Sequence, residues 1–181
     1  MKPHTLCCLA AVLAACLASA AAAQTATVYH GACDASAATA LDADHFIVGD
    51  DEHNVLHIYR KGMAEPVGRV DLSDFPATKK GKEADIEGAT TIGRRIYWIT
   101  SHARNAKGKA QPNRQRFFAT DVTPGNPPTL APAGQAYTRL LDDLLAADAL
   151  APYRLASAAQ RAAEADGGLN IEGLAATPEG A

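Results

Sequence analysis

Sulfur is scarce in this chain where it would matter. Of its four cysteines, Cys7, Cys8 and Cys16 sit close to the N-terminus, and only Cys33 lies beyond them. If the first residues are removed, Cys33 has no intramolecular disulfide partner. With no basic neighbour in sequence, it reads as a small buried hydrophobe rather than a reactive thiol. Catalytic signatures are missing as well. There is no Gly-X-Ser-X-Gly elbow, phosphate loop, Cys-X-X-Cys or His-Glu-X-X-His, so the hydrolase, nucleotide, thiol-redox and zinc-protease chemistries those motifs build are not indicated. His53 and His57 are four apart, but on a turn and a strand rather than a helix, and a zinc pair is not expected there. Positive charge is not in excess either. The net charge is −3, and −4 once Lys2 is lost, which argues against nucleic acid or an anionic membrane surface as partner.

The first residues read as a leader. Lys2 is followed by the apolar run Leu6 to Leu17, then by the small-residue sites Ala18-Ser19-Ala20 and Ala21-Ala22-Ala23. This is the pattern of a secretory signal peptide over residues 1–23, too short for a membrane span. The mature chain would start near Gln24, in the periplasm or outside the cell. A second processing site competes: Leu13-Ala14-Ala15-Cys16 has the form of a lipoprotein cleavage site, which would leave the protein anchored through a lipidated Cys16.

What the chain has in its place is a repeat. Ala84-Asp85-Ile86-Glu87-Gly88-Ala89-Thr90 returns as Leu169-Asn170-Ile171-Glu172-Gly173-Leu174-Ala175. An apolar residue between polar ones suits a strand with one buried face, and recurrence at matched positions points to a solenoid or propeller. Strand signals surround both copies. His45 to Gly49, Val55 to Arg60 and Pro66 to Leu72 alternate or run apolar between turns, forming a four-stranded meander with the segment after Ala35. Arg95 to Thr100 and Arg116 to Thr120 continue a second unit, followed by a Pro-rich excursion from Pro124 to Pro132. The period then changes. Tyr137, Leu140, Leu141, Leu144 and Leu145 fall at helical spacing, and Tyr153 to Ala165 predicts a second helix after Pro152.

Spacing supports the division. Ala37 lies 50 residues before Glu87, and Glu87 to Glu172 is 56 once the 29 residues of the helical pair are set aside. A four-stranded propeller blade takes about 40–50 residues. The chain is therefore expected to be mainly β: a partial β-propeller of about two blades plus the first strand of a third, with a helical-hairpin insertion over about 137–165. A propeller needs more blades to close, so the sequence reads as a C-terminally truncated fragment of such a domain spanning 24–181.

The motifs Cys33-Asp34-Ala35-Ser36-Ala37, Gly49-Asp50-Asp51-Glu52-His53-Asn54-Val55-Leu56, Glu83-Ala84-Asp85-Ile86-Glu87-Gly88, Tyr97-Trp98-Ile99-Thr100-Ser101-His102 and Asn170-Ile171-Glu172-Gly173-Leu174-Ala175 resemble those of the bacterial family called domain of unknown function 3616. That resemblance implies a secreted, propeller-like protein and carries no activity with it. The Glu-Gly strands are also distantly similar to those of esterase-like phytase propellers.

Acidic residues are the candidate ligands. On equivalent innermost strands, Glu87 and Glu172 would approach one axis, and Asp85, Asp50 and Asp51 could complete an oxygen set for Ca²⁺ or another divalent cation. In the alternative reading, the Glu-Gly pair serves the repeat itself: the carboxylate bonds to neighbouring amides and the glycine allows close strand packing. His102 and Arg104 are the candidates for engaging an anionic substrate, although a polar loop after a strand is commonly just solvated. Two functions follow from different classes. One is a metal-assisted hydrolase of esters or phosphoesters; the other is a non-catalytic propeller binding a small molecule or a partner at the cell envelope.

Overall fold

The structure is a computed structural model that describes residues 26–75 and 82–180, so the leader lies outside the described residues. Its regular structure is mostly two four-stranded antiparallel sheets. The first is a meander of β1 (Ala35–Ala40), β2 (His45–Asp50), β3 (Val55–Arg60) and β4 (Gly68–Asp71); the second repeats the order with β5 (Ile86–Ile92), β6 (Arg95–Thr100), β7 (Phe117–Thr123) and β8 (Thr129–Tyr137). Turn chemistry sets these hairpins. Asp42 Oδ1 accepts the amides of Asp44 and His45, both at 2.8 Å, closing the β1–β2 turn, as short acidic side chains do. The two-residue turn between β5 and β6 has Gly93 at φ +63°, a sign that glycine adopts without penalty.

Alternation in β2 and β3 decides how the sheets meet. Ile47 pairs with Ile58 and Gly49 with Leu56 on one face, while Phe46 and Val48 pair with Tyr59 and His57 on the other. The first face packs against Ile86, Ile96, Trp98 and Phe118 of the second sheet and forms the core. Trp98 is fully buried there, and its indole N–H donates to Thr120 Oγ1 at 3.0 Å. The second face is covered by Tyr29, whose ring meets Phe46 and Tyr59 edge-on. β5 runs beside β1, and Thr39 Oγ1 lies 2.9 Å from Thr91 Oγ1 across that junction. Asn54 clamps the passage between the sheets. Its amide donates to Lys82 O at 2.8 Å and its carbonyl oxygen accepts the buried Ala84 N–H at 2.6 Å.

Two sequence expectations meet a different arrangement. The Pro-rich excursion contains the start of a strand, since β8 begins at Thr129 and places Pro132 opposite Thr120. β8 is an outermost strand with one neighbour, the position where a missing N–H is tolerated. The helical stretch is also shorter than its periodicity predicts. Tyr137 closes β8, and helix is confined to α1 (Leu140–Ala146), a 3₁₀ segment at Asp148–Tyr153 and the single turn α2 (Leu155–Ala158). None of these buries a residue, so no packed face extends them, and short helices without tertiary support are marginal.

A third expectation, the strand around Ile171, is not met: residues 169–176 form no ladder, although they reach β5 much as β5 reaches β1. Ile171 N–H donates to Ser101 O at 2.9 Å, and Ala176 N–H donates to Thr90 Oγ1 at 3.1 Å. The register also refines the repeat. Bulges fall between Ala35 and Ala37 and between Ile86 and Gly88, which makes Ser36, not Ala37, the counterpart of Glu87. Asp34, Asp85 and Asn170 then occupy one repeated position.

Candidate metal centre

The bulge aims Glu87. An extra residue in one strand turns its side chain out of the ladder, and here it brings the Glu87 carboxylate to those of Asp51 and Asp85. One oxygen from each lies within 4.8 Å of the others. Asp85 enters from the residue before β5, with φ +65°, a conformation Asp accepts more readily than most residues. Asp51 follows β2, its N–H bonded to Asp34 O at 3.2 Å, and Ser101 N–H makes the matching bond to Asp85 O at 2.9 Å. The same backbone hook thus places both residues at one end of the two sheets.

Charge accumulates there. Burial, then the negative charges of Asp34, Asp85, Glu83 and Asp50, push the Asp51 carboxyl up to about 6. Burial, then Asp85, Glu172, Asp51 and Asp34, push Glu87 up to about 7. Asp85 is also raised, chiefly by burial, against the opposing effects of the Ser101 hydroxyl and Arg114. Arg114 is the cation brought to this edge, with Nη1 3.0 Å from Asp85 Oδ2 and Nη2 bonded to Glu83. It leaves Asp51 Oδ1 buried without a hydrogen-bond partner. A buried carboxylate oxygen without a donor is costly, and three hard oxygens within 4.8 Å of one another suit a cation of the Ca²⁺ class, with further positions for water or ligand.

The five acidic residues offered by the sequence do not all converge. Asp51, Asp85 and Glu87 do. Glu172 is close enough to act on Glu87 electrostatically, but it is exposed and bonded to the Asn170 amide. Asp50 turns away. It is 1 % exposed, its Oδ2 accepts Cys33 N–H at 2.9 Å, and its Oδ1 accepts His53 N–H at 3.3 Å. Burial opposes ionisation of Asp50, but these bonds outweigh it and hold its carboxyl below the usual range. The alternation of β2, carried one residue past its end, explains the split: neighbouring residues face opposite sides. In the Glu-Gly repeat, Glu87 lies in the acidic group, while Gly88 lies against the backbone of Gly173 and Leu174, the close packing the structural reading expects of the glycine.

The substrate candidates are committed elsewhere. Arg104 donates from Nε to Ala159 O at 2.8 Å, from Nη1 to Gly108 O at 3.0 Å and from Nη2 to Gln160 Oε1 at 2.7 Å, fastening the loop to the helical segment. His102 is 3 % exposed, and its Nδ1–H donates to Thr100 O at 2.7 Å. Burial lowers its pKa, and its neutral Nε2 is buried without a partner. Sequence reasoning missed Asp34 and Glu83. Asp34 was legible as the third member of the Asp85/Asn170 position, but an alignment one residue out of register hides it. Glu83 carries no periodic signal.

No protein family, curated protein or solved structure matches this chain. Among the described residues, no helix is long and apolar enough to cross a membrane.

Proposed function

We propose that this is an exported, propeller-like protein whose repeated strands build a divalent-cation site from Asp51, Asp85 and Glu87, and that the cation mediates binding of a ligand at the cell envelope. The observation that carries this reading is the convergence of three carboxylates, one of which, Asp51, has a buried oxygen with no hydrogen-bond partner. A bound cation would satisfy that oxygen and let Asp51 and Glu87 ionise together near neutral pH. The propeller reading is supported by the spatial relation of residues 169–176 to β5, which repeats that of β5 to β1. Export is supported by the leader pattern of residues 1–23. Intact mass of the secreted product tests it: a start near Gln24 fits a cleaved signal peptide, and a lipid adduct on Cys16 fits the anchored alternative.

Binding is favoured over catalysis because Arg104 is fully engaged by backbone and Gln160 oxygens. Metal-assisted ester or phosphoester hydrolysis stands as the second reading, favoured by Arg114 beside Asp85, where a guanidinium could steady an anion next to the metal. Calorimetric titration with Ca²⁺, Mg²⁺ and Mn²⁺ tests the site. Saturable binding that Asp51→Asn weakens is expected, and the absence of binding by wild type would refute it. Turnover of model esters or phosphoesters that chelator abolishes would move the conclusion to the second reading.

A further inference from the structure

A different set of donors gathers at the β2–β3 turn. Cys33, just before β1, meets Glu52 and His53 of the turn, and Sγ, an imidazole nitrogen and a carboxylate oxygen lie within 4.8 Å of one another. All three side chains are exposed, and Cys33 is a free thiol, contrary to the buried role its sequence context suggests. The two segments are held together by one buried group. Asp50 takes the Cys33 N–H on one oxygen and the His53 N–H on the other, and His53 Nδ1 lies 3.3 Å from the same Oδ1. With Nδ1–H donating to Asp50, Nε2 presents its lone pair. A carboxylate behind a histidine in this way fixes the tautomer and ring orientation that metal ligation requires.

We propose that Cys33, Glu52 and His53 form a second metal site, selective for a borderline-soft divalent ion of the zinc class and separate from the hard-cation carboxylates. A thiolate, an imidazole and a carboxylate are zinc donors, and thiolate disfavours Ca²⁺ and Mg²⁺. Bond lengths of about 2.0–2.3 Å put tetrahedral donors roughly 3.5 Å apart, within reach of small rotations of exposed side chains already inside 4.8 Å. Binding replaces the thiol proton, which leaves to solvent. Three protein ligands leave one position open. Glu52 and His53 also line a polar cleft of about 430 Å³, with Asn54, Lys82, Glu83 and Asn113 around it, so a water or an anionic ligand held by Lys82 can complete the coordination.

Co²⁺ tests this, because a cobalt–thiolate bond gives a near-ultraviolet charge-transfer band and a carboxylate site does not. The probe is Co²⁺ alone, added under reducing conditions to the full chain with Cys7, Cys8 and Cys16 replaced by serine. One equivalent should produce the band, Zn²⁺ should displace it and Ca²⁺ should not. Cys33→Ser should abolish the band, and Asp50→Asn should weaken Co²⁺ binding by about 10–100-fold. Glu87→Gln should leave the band unchanged, so failure of the hard-cation site does not imitate failure of this one. Circular dichroism separates loss of binding from loss of fold in Asp50→Asn; Cys33→Ser, at an exposed position, remains decisive if that variant unfolds. No band in the wild-type background, or a band that survives Cys33→Ser, overturns the proposal.

Discussion

A Cβ placed on Gly88 would lie 2.8 Å from the carbonyl carbon of Gly173. The two glycines hold the same place in successive copies of the repeat, and only the first is pressed by the second. Gly173 itself has nothing within 4 Å of its Cβ position. Because the obstacle at Gly88 is backbone rather than a side-chain tip, it cannot step aside cheaply. Gly88→Ala should destabilise by about 1–3 kcal/mol, the usual cost of overpacking. Gly173→Ala should be near neutral or slightly stabilising through the unfolded chain. Urea unfolding of both variants checks the asymmetry.

Arg104 should act as a structural tie. Two of its three bonds join loop 101–114 to Ala159 and Gln160, and the third, to Gly108 O, braces the loop itself, in a region whose helices bury nothing. Arg104→Ala is expected to speed proteolysis and amide exchange across residues 140–165 while leaving the sheets protected. Such a segment belongs at the low-stability end of the molecule. Uniform loss of protection in both sheets would show that the tie serves the whole fold.

The pH dependence of the cation-free protein follows from the raised carboxyls. Glu87 moves from 4.5 to about 7 and Asp51 from 3.8 to about 6. In that window the folded chain holds protons that the unfolded chain has released, so stability falls as pH rises. The contribution of these two groups is fully present below about pH 4, declines through pH 6 to 7, and is lost above it. Denaturation in chelator across pH 4–8 should show the decline, and Glu87→Gln should flatten it. Saturating Ca²⁺ should flatten it too, by favouring the ionised carboxyls.

Much of the first sheet was legible because its strands alternate. His45–Asp50 and Val55–Arg60 carry one apolar face into the core and leave turn residues between them. β8 was hidden by its prolines, whose meaning depends on lying at a sheet edge, and edges are a property of the assembled sheet. The helical period at Leu140, Leu141 and Leu144 was real, but no surface packs against it to lengthen the helices. At the candidate site, the repeat identified Asp85 and Glu87 directly. Alternation separates Asp50 from Asp51, but only the packing of the two sheets shows which of them meets Asp85 and Glu87. Nor could sequence separation reveal that Cys33 meets His53, since the join is made through the buried Asp50 carboxylate.

Thermal unfolding at pH 7 with Ca²⁺ and with chelator decides whether Asp51, Asp85 and Glu87 bind a divalent cation. At about 100 times the dissociation constant, a ligand specific for the native state adds roughly 2.7 kcal/mol. Wild type should therefore unfold at a clearly higher temperature in Ca²⁺ than in chelator, and Asp51→Asn combined with Glu87→Gln should erase the difference while raising the midpoint in chelator. Equal wild-type midpoints in the two conditions would rule out a cation at these carboxylates.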